Sequence, residues 1–216
     1  MSNNNQRIVN DYPDLDCVML NSGFQTQIRL SRPAEVDLDA FHDEMNTNYS
    51  RLVDLSIKFL PHLQKKPFPT ALTFTTSLLA FVPAVTCPSY SASKAALNTY
   101  ILCLRRQNQG SNTKIIEISP PAVQSEPLSF SLPCCCLVAD PVALAELHDY
   151  MGVETGRALG MPLDEFTEQA WEQLAAGSDH VIVSTIGPAE PFLEQVKARR
   201  DRFEGLSNLM LGHFEL

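Results

Sequence analysis

The sequence has 216 residues, 44% of them apolar and 19% charged, with 25 acidic against 16 basic residues and a net charge of −9. That length and apolar share suit one globular domain with a substantial core and exclude a disordered or collagen-like chain. The acidic balance disfavours contact with a phosphate backbone, so nucleic acid is not an expected partner.

In chain order, residues 1–14 are polar and close on Asp11-Tyr12-Pro13-Asp14, which predicts a loop. Residues 15–20 (LDCVML) are a short apolar run stopped by Asn21-Ser22-Gly23 and predict a buried strand. Over 37–63 the apolar residues Leu38, Phe41, Met45, Tyr49, Leu52, Leu55, Ile57 and Leu60 fall mostly three and four apart. This predicts one long amphipathic helix with Pro61 near its end. Residues 71–76 (ALTFTT) predict a second strand, 89–104 a helix, and 114–119 (KIIEIS) a third strand stopped by Pro120-Pro121. Two further helices are expected over 163–176 and 190–203, with Arg105-Arg106 and Arg199-Arg200 as solvated helix ends. No stretch reaches the ~18 apolar residues of a bilayer span, and Met1–Gln6 has no apolar signal core. With six cysteines read as reduced thiols, the expectation is a cytoplasmic protein without a membrane partner.

Strands alternating with helices predict an α/β fold with a parallel sheet and helices on both faces. Ligands in such sheets sit at the carboxyl ends of the strands, here 21–23, 75–79 and 119–125. Tyr90 and Lys94, four apart at the start of a helix, share one face there. A phenol titrates near pH 10, and a nearby ammonium favours the phenolate; lowering it by about 3 units is worth about 4 kcal/mol. Tyr-x-x-x-Lys alone arises by chance too often to carry an assignment, but Ser77 ends the preceding strand and Asn48 lies in the helix leading into it.

Taken together, Asn21-Ser22-Gly23, Asn48-Tyr49, Thr76-Ser77, Tyr90-Ser91-Ala92-Ser93-Lys94-Ala95-Ala96 and Pro120-Pro121-Ala122-Val123 resemble the short-chain dehydrogenase/reductase family. The double proline, with LPHL at 60–63 and GMPLDEF at 160–166, is similar to a DltE-like fungal branch of it. The resemblance implies a Rossmann-like doubly wound parallel sheet with C-terminal helices, and an oxidoreductase that exchanges a hydride between NADP (or NAD) and a small-molecule carbonyl or secondary alcohol. On the family pattern Tyr90 is the general acid/base, and Lys94 lowers its pKa and holds the nicotinamide ribose. Ser77 would bind the substrate oxygen, and Asn48 would position a water of a proton relay. Asn21, Tyr90, Lys94, Val123 and Ser125 would contact the cofactor. A homodimer or heterodimer would form through the helices over 37–63 and 89–104.

Against that pattern the chain is expected to be N-terminally truncated. It has no Gly-rich strand-to-helix turn for a pyrophosphate. The strand over 15–20 would then be an edge open to association. Within a single domain over 1–216, residues 1–125 read as the catalytic half. Residues 126–145 read as an insertion, whose core (127–145) would be explained by an unspliced intron, and 146–216 as a substrate lid with C-terminal helices. Cys134-Cys135-Cys136 lack partners at zinc spacing, so no metal is expected. His148, His180 and His213 read as surface or helix-packing residues. The alternative function is a catalytically inactive fragment that acts only as an interaction subunit or not at all.

Overall fold

A computed structural model describes residues 2–124, 137–138 and 160–211. Its elements in chain order are α1 (Ser2–Asp11), β1 (Cys17–Leu20), α2 (Leu38–Met45), α3 (Arg51–Gln64), β2 (Thr70–Thr75) and α4 (Pro88–Gln107). They continue with β3 (Thr113–Ser119), β4 (Leu137–Val138), α5 (Leu163–Ala175), β5 (His180–Ile182) and α6 (Ala189–Leu211). Among the described residues the strands form one five-stranded sheet in the order β4-β1-β2-β3-β5. Every pairing in it is parallel.

The inner strands are apolar on both faces, as a covered parallel sheet requires. Val18, Leu72 and Ile115 stand in register across β1, β2 and β3 and face one core. That core is closed by Leu52, Phe59 and Leu63 of α3 and by Leu97 and Ile101 of α4. Leu52, Leu63, Leu72, Phe74, Leu97 and Ile101 are fully buried, each stabilising the fold by about 1.5–3 kcal/mol before entropy is counted. On the opposite face Ile118 and Val181 pack on Ala170 of α5, with Ile116, Phe166 and Leu174 around them. Helices therefore cover both faces of the sheet, which makes the fold a doubly wound, Rossmann-like α/β domain.

Four expectations are corrected. Residues 2–11 are helical, because Ile8 and Val9 lie one turn above Tyr12 and pack on the α3 core. The helix over 37–63 is not regular: a π-turn at Asn46–Ser50 separates α2 from α3 and re-aims the side chains that follow. β1 is not an edge, since Leu137 and Val138 pair with Val18 and Met19. β5 was not expected at all; three residues carry too little pattern, yet His180–Ile182 extend the sheet beyond β3.

The arginine pairs are also not solvated ends. Arg200 makes two hydrogen bonds to the Asp179 carboxylate, at 2.8 and 2.6 Å. Arg105 lies 3.3 Å from the same carboxylate. Arg106 donates to Asn208 at 2.6 Å, and Arg199 to Asn98 and Thr99. These contacts strap α6 onto α4 and β5. Asp179 is held below the usual carboxylate range, chiefly by the Arg200 hydrogen bonds. No described helix is long and apolar enough to cross a membrane.

Candidate functional site

Parallel strands deliver their carboxyl ends, and the loops that follow, to one rim of the sheet. β2 ends at Thr75, and Ser77 caps the short turn Leu78–Ala80 by accepting a hydrogen bond from Leu79 N at 3.1 Å. Leu78 N donates to Pro120 O at 3.1 Å, which ties the β2 and β3 loops together. α4 begins beside them with Pro88 in its first turn, a position where the missing N–H costs nothing. Tyr90 and Lys94 occupy the first two turns of α4 and are almost fully buried, at 4% and 2% exposure.

Lys94 Nζ donates to Thr75 O at 2.9 Å and lies 5.5 Å from the centre of the Tyr90 ring. An ammonium has three donors, so two remain for ligand hydroxyls. Burial pushes Lys94 down to about 8 from its ordinary 10.5, opposed by the negative charge of Glu44. Lys94 is therefore a cation at neutral pH that titrates within reach of it.

Asn48 sits inside the π-turn with no exposed surface. Its side chain is used up in clamping: Nδ2 donates to Phe24 O at 2.8 Å and to Ser93 Oγ at 3.2 Å, while Oδ1 accepts from Phe24 N at 3.0 Å. It thereby locks the loop after β1 to the Tyr90–Lys94 turn of α4. Gly23 closes this junction. A Cβ there would lie 3.2 Å from both Asn48 Oδ1 and Lys94 Nζ, so a hydrogen is needed for the backbone to come this close. The spare donors at this junction are those of Lys94, beside the Gly23 backbone, and they are of the kind that hold ribose hydroxyls. Among the described residues no Gly-rich strand-to-helix turn supplies a pyrophosphate cradle.

Ser77 and Tyr90 line one cavity of about 730 Å³. Its walls are largely apolar, from Leu78, Leu79, Pro120, Met161 and Ile186, with Gln25, Thr86 and Ser184 as polar points. A smaller hollow of about 290 Å³ beside Thr26–Arg29 holds none of the residues discussed so far. Val123 bridges to Met161, and Met161 N donates to Ala122 O at 2.8 Å, drawing the β3 loop and the start of α5 over the cavity. Asn21 directly follows β1 and is half-buried. Ser125, Cys134–Cys136, His148 and His213 lie outside the described residues. The structure thus assembles Asn48, Ser77, Tyr90 and Lys94 at one rim, with Val123 beside them.

His180 is neither a surface nor a helix-packing residue. It lies on β5, with Nε2 2.9 Å from Ser119 Oγ and 3.9 Å from the Glu117 carboxylate, and its ring tilts against Phe81. Burial holds it below the ordinary imidazole value, opposed by Glu117. Fully buried Glu117 also accepts from Thr76 at 2.8 Å and from Asn98 Nδ2 at 2.8 and 3.0 Å. This network braces α4 one turn beyond Lys94. Sequence reading also missed Glu44, a carboxylate on the buried side of α2, whose one available signal was its place a helical turn before Asn48.

The short chain dehydrogenase family model matches residues 1–130. Uncharacterized oxidoreductase DltE of Bacillus subtilis (strain 168) is 38% identical over 115 residues, which are 53% of this chain and 45% of that protein. The chain thus spans about half the length of this curated relative. A short chain dehydrogenase from Burkholderia cenocepacia J2315, solved in complex with NADP, superposes with a TM-score of 0.65 over 94% of this chain and 76% of its own, at 18% identity. Another, from Shigella flexneri 2a strain 301 and also complexed with NADP, gives 0.51 over 73% and 62%, at 26% identity. The first likeness is one of fold.

Proposed function

The chain belongs to the short-chain dehydrogenase family, and from that premise we propose that it is an oxidoreductase using NADP or NAD on a small-molecule carbonyl or secondary alcohol. The observation that carries this reading is that Ser77 and Tyr90 line one strand-end cavity, with buried Lys94 placing its Nζ 5.5 Å from the centre of the Tyr90 ring. Lys94 and the Gly23 backbone would hold the nicotinamide ribose, with Asn21 and Val123 contributing from the loops they occupy and Ser125 as a further contact on the family pattern. When bound, the cofactor supplies or accepts the hydride at carbon.

The chain's own residues handle the proton. Tyr90 gives it to, or takes it from, the substrate oxygen, and the Lys94 charge beside its ring favours the phenolate that this exchange needs. Ser77 donates to the same oxygen as charge develops on it. With its side chain committed to Phe24 and Ser93, Asn48 fixes the loop that carries Gly23, and on the family pattern it would position a relay water. The mainly apolar cavity wall favours a neutral substrate over a charged one.

Within the same reading, residues 1–125 form the catalytic half, 126–145 an insertion that lends its Leu137–Val138 strand to β1, and 146–216 the lid and C-terminal helices. The DltE relative supports placing the chain in a DltE-like branch, of which the motifs resemble fungal members. Pairing of two copies through the helices over 37–63 and 89–104 would cover Leu38 and Ile57, which are 62% and 60% exposed. A cytoplasmic location completes the proposal.

The test is a titration of the purified chain with NADPH and NADH, followed by nicotinamide fluorescence, and then a carbonyl screen. Saturable micromolar binding, with turnover lost in Tyr90→Phe, is the expected result. A folded chain that binds neither nucleotide up to millimolar concentration, or a Tyr90→Phe variant with unchanged turnover, overturns the assignment.

A further inference from the structure

Glu44 is a buried carboxylate that the chemistry above does not use. It has no exposed surface. It stands one helical turn before Asn48, on the last turn of α2 ahead of the π-turn. Its Oε2 accepts from Thr26 Oγ1 in the loop after β1 and from Ser89 Oγ at 2.7 Å. Ser89 is the residue immediately before Tyr90. Oε1 is buried with no hydrogen-bond partner. A carboxylate half satisfied in the interior costs several kcal/mol unless a nearby charge offsets it. The ammonium of Lys94, on the neighbouring helix, lies near enough for the two charges to act on each other.

We propose that Glu44 is a positioning residue of this site: its carboxylate fastens the turn bearing Tyr90 to the loop bearing Gly23 and sets a buried negative charge against the Lys94 ammonium. The proposal rests on the oxidoreductase reading for its catalytic meaning, but the coupling itself belongs to the fold. Two strands of geometry support it. The two hydrogen bonds join the same pair of segments that Asn48 clamps a turn later, through Phe24 and Ser93. The unpartnered oxygen leaves part of the negative charge without local compensation. Burial raises the Glu44 carboxyl above its ordinary range, while Thr26, Ser89 and Lys94 all act to lower it. Among the described residues, Glu44 interacts electrostatically with Lys94 and the Cys87 thiol, and Lys94 with Glu44 and the Tyr90 ring.

Glu44→Gln separates the two functions, since the amide oxygen still accepts from Ser89 and Thr26 but carries no charge. Lys94 would be followed by NMR in protein grown with 13Cε-lysine, its signal assigned with Lys94→Met. In the wild-type chain the midpoint is expected near 8; in Glu44→Gln it should fall by about one pH unit, and Glu44→Asp should restore at least half of the change. The alkaline limit of nucleotide binding should fall in parallel. A Lys94 midpoint that Glu44→Gln leaves in place overturns the proposal. Should that variant not fold, a 13Cδ-glutamate label in the wild-type chain gives the same answer: the Glu44 signal must show an inflection as Lys94 deprotonates, and a flat trace there is equally refuting. A wild-type chain that binds no nucleotide but shows the coupled titration refutes the oxidoreductase reading and leaves the Glu44–Lys94 pair standing.

Discussion

Lys94→Met tests whether the fold bears a cost for holding an ammonium at this site. The displacement of Lys94 from 10.5 to about 8, at about 1.36 kcal/mol per pH unit, corresponds to about 3 kcal/mol. Below about pH 8 the lysine is protonated in both the folded and the unfolded chain, and the folded state carries the whole desolvation cost. Between about pH 8 and 10.5 the unfolded chain binds more protons, so stability rises with pH. Above that window the lysine is neutral in both states and the cost is gone. Methionine fills nearly the same volume without charge. It forfeits the hydrogen bond to Thr75 O, worth about 1 kcal/mol, and Glu44 takes up a proton more readily once its counter-charge is removed. The variant should therefore be more stable than wild type by about 1–2 kcal/mol at pH 7. Urea unfolding followed by circular dichroism, at half-unit steps from pH 7 to 10, measures both proteins. The wild type should climb toward and past the variant as pH rises. Parallel profiles, with the variant less stable throughout, would refute the reasoning.

Gly23→Ala places a methyl group 3.2 Å from Asn48 Oδ1 and Lys94 Nζ; it should cost about 1–3 kcal/mol in urea unfolding and weaken NADPH binding in the same fluorescence titration. Asp179→Ala leaves Arg105 and Arg200 without their shared carboxylate and should lose about 2–3 kcal/mol. Because the Asp179 carboxyl is held low, its contribution is present above the ordinary carboxylate range and lost as pH falls through the lowered value. The variant's acid-unfolding limb should accordingly be shallower. Leu52→Ala opens the α3 core at a residue with no exposure and should cost about 2–5 kcal/mol, read as a shift in the urea midpoint with unchanged slope.

The parts of this molecule legible in its sequence are those whose signal is local. The 3.6-residue spacing of Phe41, Met45, Leu52 and Leu55 and the apolar runs at 71–76 and 114–119 placed the main helices and strands. The Tyr90–Lys94 spacing put two side chains on one helix face before any tertiary contact was known. What could not be read is set by partners distant along the chain. Arg106 meets Asn208, Arg105 meets Asp179 and His180 meets Ser119, and in sequence each looks like an ordinary exposed polar residue. Glu44 follows Asp43 in a charged stretch, and nothing nearby says that one faces water while the other is sealed in. α1 was hidden because its polar residues outnumber Ile8 and Val9, which earn a helix only through the α3 surface they cover.

The π-turn at Asn46–Ser50 makes chain length at this point a structural constraint in its own right. A π-turn is a helix with one residue to spare, and each residue of a helix carries about 100° of rotation. A deletion anywhere within those five residues would let the helix relax to regular α geometry. α2 would then spin by about that angle relative to α3, carrying Glu44 off the buried side and unseating Asn48 from Phe24. Side chains at Asn46, Thr47 or Ser50 can drift, but the count cannot. In a set of divergent relatives this stretch should read as variable in letters and gapless in alignment, a fingerprint that identity-based comparison overlooks.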